Sequence, residues 1–124
     1  MTFTLRTPEA EHFYQEQKGL QDPNWCFLCA RDLLRQEFRH WFICENRYPY
    51  TEITKRHDLL APKRHIKSIE ELTKEEFEEL KSILFQINCR QLGKYDQVQY
   101  NVPEKQSCKF HFHLQLLVLR DDIR

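Results

Sequence analysis

The sequence predicts an antiparallel α+β domain, with strands forming a meandering sheet, one long helix packed on it and a short helix at the N-terminus. Three observations predict this class. Phe77, Leu80, Ile83, Leu84 and Ile87 recur at helical spacing. The stretches before and after them change to period two and are rich in aromatic and β-branched residues. The strand-like stretches fall in pairs with short connections, an antiparallel arrangement.

The elements follow in chain order. Thr7 can cap a first helix with Pro8 at its first position, and Gly19 sits where that helix would end. Residues 1–22 form this helical extension, and residues 23–124 form the domain proper. A short turn follows. Residues 38–45 read as a strand, and residues 57–62 read as a short buried strand ended by Pro62. Thr73 and Glu76 form a capping box for the long helix, with Leu72 and Phe77 as its hydrophobic staple. Four glutamates near its start and Arg90 near its end suit the helix dipole, and Gly93 closes it. The charges from Lys74 to Glu79 read as a solvated face. Residues 97–102 alternate Val98, Tyr100 and Val102 with polar partners, and residues 109–119 carry the strongest strand signal.

Composition excludes several functions. The chain has 124 residues, with 19 basic and 19 acidic side chains. That length suits one compact domain. Zero net charge provides no field for non-specific nucleic-acid binding. No apolar run approaches a membrane span, and the N-terminus lacks the apolar core of a secretion signal, so a cytoplasmic protein without membrane partners is expected. Two glycines exclude the glycine-rich phosphate cradles. Five cysteines, an odd count, argue against a disulfide framework and for thiols or metal ligands.

Chemistry concentrates in the last strand. Phe110, Phe112, Leu114, Leu116 and Val118 share its core face, and His111, His113 and Gln115 share the opposite one. Next-but-one side chains stand about 6.6 Å apart on a strand, so these three polar groups span roughly a phosphate with its oxygens. An ordinary amphipathic strand with a wet face explains the same pattern. Cys26 and Cys29 have the spacing of metal ligands, a spacing shared with redox pairs and with chance.

Set in order along the chain, these motifs resemble the histidine triad (HIT) superfamily. His111, His113 and Gln115 match the His-x-His-x-Gln pattern of its transferase branch, which holds galactose-1-phosphate uridylyltransferase and the diadenosine tetraphosphate phosphorylases. Upstream, Trp41 to Asn46, then Tyr48, Pro49 and Tyr50, then His57 to Ile66 resemble the strand, Asn–Pro loop, strand and Pro-Lys-Arg-His corner of that superfamily. The resemblance covers about residues 24–119.

The resemblance implies a nucleotidyltransferase or phosphorylase acting on a nucleotide phosphoanhydride, a dinucleoside polyphosphate or nucleoside diphosphate derivative. His113 would attack the α-phosphorus and carry the nucleotidyl group, its ring fixed by an acceptor such as a backbone carbonyl. Gln115 stands where hydrolases of the superfamily carry a third histidine; an amide can hold a phosphoryl oxygen but cannot deliver a proton. A nucleotide hydrolase and a nucleotide-binding module without turnover are the alternatives. Cys26, Cys29, His65 and His111 would close a structural zinc site. Asn46, Asn101, Gln106, Ser107 and Lys109 would contact substrate, although the usual loop glycines are replaced by Pro103, Glu104 and Lys105. Trp41, Phe42 and Tyr48 are candidates for a base pocket, or for the core. Cys44, Cys89 and Cys108 read as packing thiols. A homodimer is expected.

Overall fold

A computed structural model of the chain describes residues 5–19, 26–100, 102 and 111–122. Its elements are α1 (Pro8–Gly19), α2 (Phe27–Ala30), β1 (Leu34–Glu37), β2 (Trp41–Glu45), β3 (Thr54–Pro62), α3 (Lys74–Asn88), β4 (Gln97–Tyr100) and β5 (Leu114–Leu119), with a 3-10 turn at Ile69–Glu71. The strands form one antiparallel sheet in the order β1-β2-β3-β5-β4. β1, β2 and β3 meander. The chain then crosses through α3 and returns as the hairpin of β4 and β5, which places β5 beside β3. The α+β class and its single long helix are those expected.

β1 was not expected. Its four residues are all exposed, so no burial period betrays it. It pairs with β2 through a bulge between Leu34 and Gln36. The strand expected at residues 38–45 divides at this hairpin: Phe38 N–H donates to Trp41 O at 2.8 Å, and β2 begins at Trp41. The last strand also starts later than expected. Its ladder begins at Leu114, so His111 and His113 lie on the run into β5 and not within it.

Both faces of the sheet are covered. On one face, Trp41, Ile43, Leu60, Leu114, Leu116 and Val118 pack against Leu80, Ile83 and Ile87 of α3. On the other, Phe42, Cys44, Leu59 and Ala61 pack beneath Leu28 of α2. The second layer corrects the expectation of a wet face: His111, His113 and Gln115 are 0%, 2% and 1% exposed. β5 is central in the sheet and buried on both faces, so its hydrophobic run is nearly continuous.

α3 carries the expected capping box, with Glu76 N–H to Thr73 Oγ1 at 3.1 Å and Thr73 N–H to Glu76 Oε1 at 2.8 Å. Glu76 is buried, a departure from the solvated charge face. Arg64 holds it with two bonds, Nε to Oε2 at 3.1 Å and Nη2 to Oε1 at 2.8 Å. That pair keeps the Glu76 carboxyl below its ordinary range and ties the corner after β3 to the helix start. Phe77, expected in the core stripe, is 48% exposed, because the buried face runs through Glu76, Leu80, Ile83 and Ile87. The helix ends before Gly93. Gly93 instead supplies a left-handed turn at φ 60°, where an added Cβ would run into the Tyr95 ring. Cys44 is a packing thiol as expected, whereas Cys89 is exposed at the end of α3.

Candidate functional site

Two clusters meet at the entry to β5. The first is a group of sulfur and imidazole donors. Cys26 caps α2, accepting from Cys29 N–H at 3.4 Å, and this one-turn helix points both sulfurs the same way. The corner following Pro62 brings in His65, and the run into β5 brings in His111. Cys29 Sγ lies 2.9 Å from His65 Nδ1, and both sulfurs lie 3.4 Å from His111 Nδ1. The four ligand atoms all fall within 4.8 Å of one another.

This donor set fits zinc. Bonds of about 2.3 Å to sulfur and 2.0 Å to nitrogen put neighbouring ligand atoms of a tetrahedral site about 3.5 Å apart. Two thiolates and two imidazoles suit that ion and not the oxygen-seeking cations. The second nitrogen of His111 is already committed: Nε2–H donates to Pro62 O at 2.9 Å, which turns the Nδ1 lone pair toward the sulfurs. Burial, then the adjacent Cys26, pushes the Cys29 thiol up to about 11. Two adjacent thiols become thiolates together only with a cation to share, and binding one releases their protons.

The second cluster is His113, Gln115 and His57. A carbonyl can only accept, so the 3.0 Å contact of His113 Nδ1 with His111 O assigns the ring proton to Nδ1. Nε2 then carries the lone pair. Burial holds this imidazole below its ordinary range, against the His111 carbonyl, which raises it. The ring is therefore neutral at pH 7.

His57 was read from sequence only as part of a buried strand. In the structure it pairs across the sheet with Leu117, so its side chain shares the face of Gln115. A backbone N–H can only donate, so Tyr50 N–H, 3.2 Å from His57 Nδ1, assigns the ring proton to Nε2. Nε2–H donates in turn to Gln115 Oε1. The Gln115 amide is thereby oriented, and its Nε2 is buried with no hydrogen-bond partner. A buried, unpartnered donor beside a neutral imidazole is a place prepared for an anionic oxygen. Burial, reinforced by Arg6 and His113, lowers His57 to about 4 against the Gln115 bond that raises it.

The loop between β2 and β3 closes over this cluster. Asn46 Oδ1 accepts from Tyr48 N–H at 2.9 Å, and its amide nitrogen lies 3.3 Å from His57 Nε2. Asn46 thus orders the loop in this structure. A cleft of about 370 Å3, lined by Asn46, Arg47, Lys55, Arg56 and His57, opens beside it. His57 connects this cleft to the buried pair.

No family model matches the chain, and no curated protein matches it. Solved structures do resemble it. A HIT family hydrolase from Legionella pneumophila Philadelphia 1 superposes with a TM-score of 0.57 at 22% identity, covering 78% of this chain and 95% of that one. A histidine triad protein from Clostridium difficile gives 0.59 at 18% identity, covering 82% and 95%. A histidine triad nucleotide-binding protein from Candida albicans gives 0.55 at 16% identity, covering 78% and 76%.

The chain has the histidine triad fold. Within that fold, the expected metal ligands Cys26, Cys29, His65 and His111 come together, and His113 and Gln115 come together with His57. Asn46 borders the same cluster. Asn101, Gln106, Ser107 and Lys109 lie outside the described residues, as does Cys108. Two base-pocket candidates belong to the core instead: Trp41 is buried under α3, its Nε1–H donating to Glu76 O at 2.8 Å, and Phe42 lies in the second layer. His57 did leave a signal in the sequence. It is the polar residue on a face it shares with the apolar Leu59 and Ala61.

Proposed function

We propose that the chain transfers a nucleoside monophosphate through a covalent nucleotidyl-His113. The observation that carries this reading is the pairing of tautomers: His113 is left with its lone pair on Nε2, and Gln115 with its amide donor unpaired. Nε2 attacks the α-phosphorus, a P–N bond forms, and the P–O bond to the departing phosphate breaks. In the second step an oxygen of an acceptor phosphate attacks the same phosphorus and the P–N bond breaks, returning the neutral ring. The proton stays on Nδ1 throughout, donated to the His111 carbonyl. Gln115 donates to a non-bridging oxygen in both steps and supplies no proton to the leaving group. That supports transfer to phosphate over transfer to water.

The substrate is a dinucleoside polyphosphate or nucleoside diphosphate derivative. Asn46 is proposed to reach the ribose; Asn101, Gln106, Ser107 and Lys109 are proposed phosphate contacts. Zinc, when bound by Cys26, Cys29, His65 and His111, supplies a rigid cross-link and leaves no open position for substrate. The C-terminal strand run and α2 are then held in register beside His113. Val98 and Tyr100 on the edge strand β4, with Phe77 and Phe85 on α3, offer exposed apolar surface to a second copy.

Two named relatives, a hydrolase and a nucleotide-binding protein, keep both alternatives open to the same assay. Diadenosine polyphosphates are incubated with the protein, with and without inorganic phosphate. Cleavage that requires phosphate supports transfer. Phosphate-independent cleavage assigns a hydrolase, and binding without cleavage assigns a binding module.

A further inference from the structure

The N-terminal segment reaches this site through one side chain. Arg6 lies just ahead of α1, outside the residues that carry the resemblance. Thr7 anchors the helix start, its Oγ1 accepting from Ala10 N–H at 3.0 Å, and this fixes the direction in which Arg6 leaves the backbone. The Arg6 side chain is only 6% exposed. Its Nε donates to Tyr48 O at 2.9 Å, and its guanidinium lies 5.3 Å from the centroid of the Tyr50 ring. Tyr50 in turn lies against His57, with ring centroids 4.3 Å apart, and gives its N–H to His57 Nδ1. Phe13 of α1 meets the Tyr48 ring at 6.1 Å.

Arg6 Nη1 also pairs with Glu11 Oε2 at 3.5 Å. Two groups that can carry positive charge bear on His57 from the elements packed around it: Arg6 from the N-terminal segment, charged at neutral pH, and His113 from the run into β5, neutral there. Among the described residues, Tyr50, Asn46 and Gln115 also contact the His57 ring.

We infer that Arg6 is a positioning residue of the site, clamping the loop 46–50 onto His57 so that Nε2, and not Nδ1, carries the proton given to Gln115. Without the clamp the Tyr50 N–H leaves Nδ1, the imidazole is free to exchange tautomers, and the Gln115 amide loses its fixed orientation. The N-terminal extension is then part of the site. The consequence for turnover rests on the function proposed above; the link from Arg6 to the His57 tautomer does not.

The test uses side-chain 15N–1H correlation spectra of the full chain, with Arg6→Gln and Arg6→Lys beside the parent. The parent shows His57 as the Nε2–H tautomer with an acid-shifted titration. Arg6→Gln gives a mixture of tautomers and raises the midpoint by about one unit, because it removes a like charge next to the ring. Arg6→Lys keeps the charge and retains the low midpoint. Arg6→Gln/Glu11→Gln, which removes both members of the ion pair, gives the same result where the single variant folds poorly. An unchanged His57 tautomer and midpoint in a folded charge-free variant overturns the inference. In the phosphorolysis assay, Arg6→Gln lowers kcat about tenfold with KM unchanged, as misorientation of a holding group requires. A parent protein without turnover would overturn the proposed function and leave the spectroscopic result standing.

Discussion

His57 donates from Nε2 to Oε1 of Gln115, and it can do so only because the Tyr50 amide occupies its other nitrogen. This one contact decides which end of the Gln115 side chain faces the reacting group. Reversed, the amide would present an oxygen to a phosphoryl oxygen and repel it. The first prediction concerns this contact. Phe at position 57 fills the volume and removes the donor. His57→Phe should lower kcat for nucleotidyl transfer about a hundredfold, the scale on which catalysis responds to lost positioning. Steady-state kinetics together with a thermal melt separates this from unfolding; a folded variant with parental kcat counts against the role.

Gln115 sets the fate of the phosphoryl group. A histidine in its place can give or take a proton, which an amide cannot. Gln115→His should therefore raise the ratio of hydrolysis to phosphorolysis in a product assay run at fixed phosphate. An unchanged ratio removes Gln115 from the choice of acceptor.

Acid should destabilise the fold through His57. Its folded value of about 4 lies below the 6.5 of the unfolded chain, so the unfolded state binds the proton first as pH falls. Stability is complete above pH 6.5 and declines toward pH 4, by roughly 3 kcal/mol when the 2.5-unit difference is converted. Urea midpoints measured between pH 7 and pH 4 should show this slope, and His57→Phe should flatten it. A parental slope in that variant assigns the acid sensitivity elsewhere.

Metal content provides an independent check. Protein purified without chelator should hold one zinc per chain, and Cys26→Ser/Cys29→Ser should hold none. Loss of the ion should lower the melting temperature and loosen the run into β5, since His111, a proposed ligand, is also the residue whose carbonyl orients His113. Zinc retained by the double variant contradicts the assigned ligands.

Much of this arrangement was legible in the sequence. Helix α3 announced itself through its capping box and apolar period, and the cysteine pair through its spacing; His65 and His111 joined that pair only through the resemblance of the ordered motifs to the histidine triad superfamily. β1 was not legible, because an exposed four-residue edge strand carries no burial pattern. Phe77 misled because a residue at the right helical interval still turns outward when Glu76 takes the buried place, held there by Arg64. The clearest omission was His57. Alternation placed it on the correct face, but its meaning depends on Gln115 across the sheet, 58 residues away, and on a loop amide. Such a relation is created by register and has no local signature. Arg6 is hidden for the same reason, at a separation of 42 residues from the carbonyl it holds.

The most direct test of the account is intact-mass analysis of the protein after brief exposure to a diadenosine polyphosphate without phosphate. The account predicts an increment of one nucleoside monophosphate, mapped to His113, discharged by added phosphate and absent in His113→Asn. A folded protein that binds the nucleotide and never acquires the adduct would contradict it.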